Sequence, residues 1–155
     1  MTVEYMGNTT LLEQEMTAFL APSRVSPVAV LPTLDWATEM ARAGRTVVSG
    51  FSSRLEKEVF AILARGTSPI VLATVHPRFK RVPAALKTLL DSNRLLIISL
   101  GLAPRLSRKN APKRNAFVAN LATHLVFPSI DPTSSLHPIY QSAIHNGKKV
   151  MILQQ

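Results

Sequence analysis

Six short apolar runs separated by stretches of helical spacing constrain this chain more tightly than any other feature. The runs are residues 18–21, 46–49, 69–75, 95–100, 124–127 and 150–153. Four of them are rich in β-branched residues or leucine and show no polar alternation, as strands covered on both faces do. Between them, residues 28–42, 55–65, 83–92, 112–122 and 134–146 carry helical periodicity. In the first of these, Val28, Leu31, Leu34, Ala37, Met40 and Ala41 form an apolar stripe. Strand–helix alternation with short connections predicts an α/β domain: a Rossmann-like, doubly wound, mainly parallel sheet of about six strands with helices on both faces.

The punctuation agrees. Ser26 before Pro27 reads as an N-cap with proline at the first helical position, and Pro83 and Pro112 open helices in the same way. Gly44, Gly66 and Gly147 follow helices where C′ glycines belong. Two stretches escape the pattern. Residues 1–16 read as an N-terminal extension to a domain spanning 17–155, and the basic connection 101–111 is long for a link between a strand and a helix. The chain has no cysteine, which excludes disulfides and thiolate metal sites. Its first residues are acidic rather than a secretory signal, and no apolar run nears the roughly 20 residues of a membrane span. A cytoplasmic location without membrane contact is the expectation.

Charge is segregated. The net charge is +9 over 155 residues. From His76 to Asn115 there are ten basic residues against one acid, Asp91, so this window carries the whole excess. Such a window points to a phosphate-rich partner more readily than to a merely solvated surface.

Ligands of a doubly wound sheet bind beyond the carboxyl ends of the strands. The residues expected there are Ser23 and Arg24 after the first strand, and Ser49, Gly50, Phe51 and Ser52 after the second. Arg78 and Lys80 follow the third strand, and Thr133, Ser134 and Ser135 follow the fifth. Hydroxyls, a glycine and arginines at strand exits suit an anion held by backbone N–H groups and a guanidinium fork. The same serines are also ordinary helix caps. Gly50 would let a ligand approach the backbone, and Phe51 or Phe79 would stack on a base.

Catalytic constellations are thin. The dinucleotide and Walker fingerprints are absent, and His76, His124, His137 and His145 lack metal-ligand spacing. Glu56 is a candidate for a ribose contact, for pairing with Arg54, or for a helix-dipole interaction. No nucleophile–base pair emerges. The expectation is no catalytic residue, no metal and no cofactor, with a nucleotide, phosphate or sulfate as the ligand such a site would hold.

Taken together, these residues resemble the Rossmann-like domain of the DNA-processing protein A (DprA/Smf) family, and specifically its short single-domain relatives within the SLOG group of nucleotide-linked domains. The family's Gly-Ser-Arg is read here as Pro22-Ser23-Arg24, and its Ser-Gly-x-Ala as Ser49-Gly50-Phe51-Ser52. Glu56 and Phe60 stand near the places of the acid and histidine that follow. Val75-His76-Pro77-Arg78-Phe79 is similar to the proline-bearing loop after the third strand. Pro112-Lys113-Arg114-Asn115 resembles the family's Pro-x-Arg-Asn, and 131–136 stands where the family has Ser-Gly-Ser, here without the glycine.

The resemblance implies single-stranded DNA binding in a basic pocket, with Arg24, Lys113 and Arg114 on phosphates, Arg78, Lys80 and Arg108 assisting, and Asn115 and Ser49 as hydrogen-bonding groups. It also implies a homodimer and a recombination protein as partner. Only two residues follow the sixth expected strand, so no winged-helix domain is expected and simple binding is preferred to recombinase loading. The sibling phosphoribohydrolase motif, Pro-Gly-Gly-x-Gly-Thr, is absent. Two rivals remain: a small-molecule nucleotide sensor or nucleotide-processing enzyme using the same cleft, and a structural subunit whose basic surface meets an acidic protein.

Overall fold

The computed structural model describes residues 2–154. The apolar runs become β2 (Thr17–Phe19), β3 (Val47–Ser49), β4 (Ile70–Thr74), β5 (Leu95–Ser99), β6 (His124–Phe127) and β7 (Lys149–Ile152). Between them lie α1 (Val30–Ala43), α2 (Arg54–Arg65), α3 (Ala84–Asp91), α4 (Ala111–Leu121) and α5 (His137–His145). The four β2–β5 strands run parallel side by side, and β6 and β7 continue the parallel sheet on the other side of β2.

Strand parity divides the core. Ala18, Val71, Ala73, Leu96, Ile98 and Leu125 point to one face, which α4 and α5 cover through Val118, Ala119 and Ala143. Phe19, Val47, Ile70, Leu95, Ile97 and Val126 point to the other, covered by α1, α2 and α3 through Ala37, Val59, Leu63 and Leu89. Apolar residues on both faces leave no room for polar alternation, which is why these strands read as unbroken apolar runs.

The stretch expected to lie outside the pattern is part of the sheet. β1 (Glu4–Gly7) pairs antiparallel with β5, so the sheet has seven strands in the order β1-β5-β4-β3-β2-β6-β7. Leu11 and Met16 are buried beside it. At the end of β1, Gly7 has φ +109, and a Cβ there would run into the Leu95 carbonyl; only glycine closes this edge.

Helix starts shift too. Ser26 precedes a short 3-10 turn (Pro27–Ala29), and its side chain makes no capping bond. Residues 131–136 form turns before α5, where Asp131 accepts hydrogen bonds from the Thr133 backbone and hydroxyl, each at 2.9 Å. These bonds hold the Asp131 carboxyl below its ordinary range. Asp, Pro, Thr and Ser prefer such local bonds to a helical first turn.

Candidate phosphate-binding groove

The strand order reverses between β2 and β6. Chain order runs outward from β2 to β5, then returns to the far side of β2, so connections leave in opposite directions and open a crevice at the carboxyl ends. Three adjoining recesses occupy this edge. The central one, about 590 Å³, runs from Ala21–Ser23 and Ser52–Ser53 to Arg108, Arg114 and Asn115. The second, about 530 Å³, continues past Ser23 and Arg24 to Ser134, Ser135 and Gln154. The third, about 330 Å³, passes Gly50 and Arg114 toward His76 and Phe79. The N-termini of α2 and α4 open on the central recess, adding their partial positive charge.

Arg114 stands at the junction of the central and third recesses. It sits in the first turn of α4, after Pro112, and only 5% of it is exposed. Its Nη1 donates to Ser52 Oγ at 2.9 Å, and Nη2 and Nε donate to Asn115 Oδ1 at 3.0 and 3.3 Å. These bonds use three of five guanidinium N–H groups. Among the described residues no carboxylate lies within ion-pair distance of it. Burial lowers its pKa, while the charge of Glu56 works the other way; a guanidinium keeps its proton regardless. Glu56 offsets part of the cost of withdrawing this cation from water without touching it, and a phosphate entering the groove would relieve more of that cost.

Gly50 explains how so large a side chain fits. A Cβ on Gly50 would lie 2.5 Å from Arg114 Cζ and Nε. The glycine thus makes space for the arginine, where the sequence suggested close approach of a ligand. The next residue, Phe51, has a left-handed φ of +44.

Several expected contacts are reassigned by burial. Phe51 is 7% exposed and packs edge-on against Phe60, centroids 5.2 Å apart, so it is not free to stack on a base. Ser49 is fully buried and its Oγ accepts from Phe51 N at 3.1 Å, a local turn rather than a ligand contact. Glu56, 2% exposed, offers no ribose contact and no pair to Arg54. Its Oε2 accepts from Ala21 N at 3.0 Å, and Oε1 from Ser52 N and Ser53 N at 3.0 and 3.1 Å. With Ser53 Oγ accepting from Glu56 N, this completes a capping box that also ties the exit of β2 to the start of α2.

The remaining candidates divide by position. Ser23, Arg24, Ser52, Arg108, Asn115, Ser134 and Ser135 line the groove. Lys113 is exposed on α4, Thr133 on the turn before α5, and Arg78 and Lys80 on the loop after β4, none of them lining a recess. Arg94, counted in the basic window, caps α2 instead: its guanidinium donates to the carbonyls of Leu63, Ala64 and Ser68. Leu106 lines the central and third recesses without having been expected there, and His76, expected in the loop after the third strand but given no contact, lines the third. His76 Nδ1 lies 2.6 Å from the Pro104 carbonyl and fastens the basic loop, which Asn110 folds back through Arg105 O and Ser107 N. Among the described residues no three His, Asp or Glu gather where they could hold a metal ion.

The fold is a Rossmann-like, doubly wound α/β domain with a groove at the carboxyl edge of its sheet. Comparison with solved structures gives the particular likeness. DNA processing protein A from Streptococcus pneumoniae superposes with a TM-score of 0.74 at 18% identity, over 96% of this chain and 53% of that one. Its counterpart from Helicobacter pylori, described for its single-stranded DNA binding mode, gives 0.72 at 20% identity, over 97% of this chain and 70% of that one. The molybdenum cofactor binding protein of Rippkaea orientalis gives 0.65 at 12%, over 90% of this chain and 76% of that one. The chain thus spans about half the length of the pneumococcal protein. No family model and no curated protein matches the sequence. No helix of the described residues is long and apolar enough to cross a membrane.

Proposed function

We propose that this protein is a non-catalytic binding domain that takes single-stranded DNA along the groove at the carboxyl edge of its sheet. The observation that carries this reading is Arg114: a buried guanidinium with no carboxylate in ion-pair contact among the described residues, at the junction of two recesses, with N–H groups to spare. A phosphate of the backbone sits on Arg114, neighbouring phosphates meet Arg24 and Arg108, and Ser23, Ser52 and Asn115 supply hydrogen bonds. Phe79 and Leu106, beside Arg114, offer apolar surface to a base. The likeness to the Helicobacter DNA processing protein supports the choice of a single strand.

The likeness to a molybdenum cofactor binding protein favours a second reading, a carrier of one small phosphorylated ligand in the same groove. Fluorescence anisotropy with labelled oligo-dT, competed by mononucleotides, separates the two. Strand binding predicts displacement by unlabelled oligonucleotide and little by mononucleotide at equal phosphate concentration. Equal displacement by one mononucleotide would favour the small ligand.

A further inference from the structure

Apart from the groove, another recess lies at the opposite end of the sheet, where β2, β6 and β7 begin. It encloses about 420 Å³, within the range of small-molecule sites. It exists because the helices on this face stop at α1 and none covers β7. Val126 and its register neighbour Met151 belong to this face, and Met151 is 53% exposed. Trp36 and Met40 of α1 form the facing wall. Trp36 is held in place by stacking on Phe19, centroids 5.2 Å apart and planes 24° from parallel. A fixed indole flanked by two methionines is a polarizable surface suited to a flat apolar body.

The rim is charged. Arg45, His124 and Lys149 line it against one acid, Glu15. Neither Arg45 nor Lys149 forms an ion pair among the described residues. His124 meets Thr123 Oγ1 through Nδ1 at 2.9 Å, which leaves Nε2 as the ring's other hydrogen-bonding atom. An apolar recess with cations at its mouth complements a molecule that is apolar at one end and anionic at the other. We infer that this recess is a binding site for a small amphipathic anion, an aromatic body carrying one carboxylate or sulfonate. The body lies against Trp36, Met40 and Met151, and the head group faces Arg45 and Lys149. The site is separate from the phosphate groove and does not rest on the reading given for it.

Trp36 is the single tryptophan, so its emission reports this recess alone. The probe is anilinonaphthalene sulfonate, with phenylnaphthylamine as the same body without the charge. The sulfonate should quench Trp36 saturably with one-to-one stoichiometry, and the neutral body should bind about tenfold more weakly or worse, the equivalent of one lost charge contact. Arg45→Gln with Lys149→Gln should bring the sulfonate down to the level of the neutral body. Met151→Glu should abolish binding, and Met151→Gln replaces it should the first variant fail to fold. Arg114→Ala should leave binding intact. The inference is overturned by the absence of saturable quenching up to about 1 mM probe, by equal affinity for charged and neutral bodies, or by indifference to Met151. Concentration-dependent shielding of Trp36 without any probe would overturn it as well, marking this face as a contact between copies of the chain.

Discussion

Gly50→Ala tests the cradle of Arg114 at its narrowest point. Gly50 is not among the residues with positive φ, so alanine suits its backbone and the cost comes from contact alone. The added Cβ would lie 2.5 Å from Cζ and Nε and 2.7 Å from Nη1 of Arg114. Ordinary carbon contacts begin near 3.5 Å, so the guanidinium must retreat by about 1 Å. That movement breaks its 2.9 Å bond to Ser52 and its paired bonds to Asn115.

A hydrogen bond to a charged group contributes about 1.5–3 kcal/mol, and the restricted unfolded chain returns about 0.4–1 kcal/mol. Counting the Ser52 bond alone, the net loss of stability is about 0.5–2.6 kcal/mol, and more where the Asn115 bonds are not remade, with a fall in melting temperature of about 2–4 °C per kcal/mol for a domain of this size. Oligonucleotide affinity should fall about tenfold or more, since each tenfold step is about 1.4 kcal/mol. Thermal melts and anisotropy on Gly50→Ala, Arg114→Ala and the double variant form a cycle. With Arg114 gone the methyl group has space, so Gly50→Ala should cost nothing further and the coupling should reach about 1 kcal/mol or more. Additive effects would refute the account of why glycine occupies this position.

Arg24→Ala, at an exposed site, should weaken oligonucleotide binding by about 1–3 kcal/mol with little change in melting; a large drop in melting temperature with intact binding would make Arg24 structural. Glu56→Ala removes the acceptor of three backbone N–H groups and the nearest counter-charge to Arg114, so urea melts should show a loss of about 2–4 kcal/mol. Wild-type stability would remove Glu56 from its bracing role. Purified protein should release no base from nucleoside monophosphates in a chromatographic assay. Turnover that disappears in Glu56→Gln would contradict a binding domain. Arg108→Glu with Lys109→Glu should weaken binding to all sequences alike, because phosphate contacts carry no base information.

The parallel core was legible because burial on both faces leaves continuous apolar runs, as in 69–75 and 95–100. β1 was not: Glu4, Tyr5, Met6 and Gly7 are four residues with no apolar run, and their strand state comes from pairing with β5. Its one signal was Gly7, a glycine at the end of a short mixed stretch. At the groove, Ser, Gly and Arg at the strand exits pointed to the carboxyl edge, where the recesses lie. The sequence could not say which side chains turn inward. Ser49 lies under the groove, Phe51 borders its third recess but is buried against Phe60, Glu56 turns back to bind the backbone, and Arg94 leaves the basic window to cap α2. Arg114 carries most weight because Gly50, 64 positions earlier, gives it space. That dependence on a distant residue has no local periodicity to reveal it.

The salt dependence of oligo-dT binding tests the central claim most directly. Each phosphate neutralised on a single strand contributes about −0.7 to the slope of log K against log salt, so four or five contacts predict a slope of roughly −3. Arg114→Ala and Arg108→Glu should each flatten it. A slope near zero with affinity that depends on the identity of a mononucleotide base, or no binding of oligo-dT at low salt, would contradict a groove built for the phosphates of a single strand.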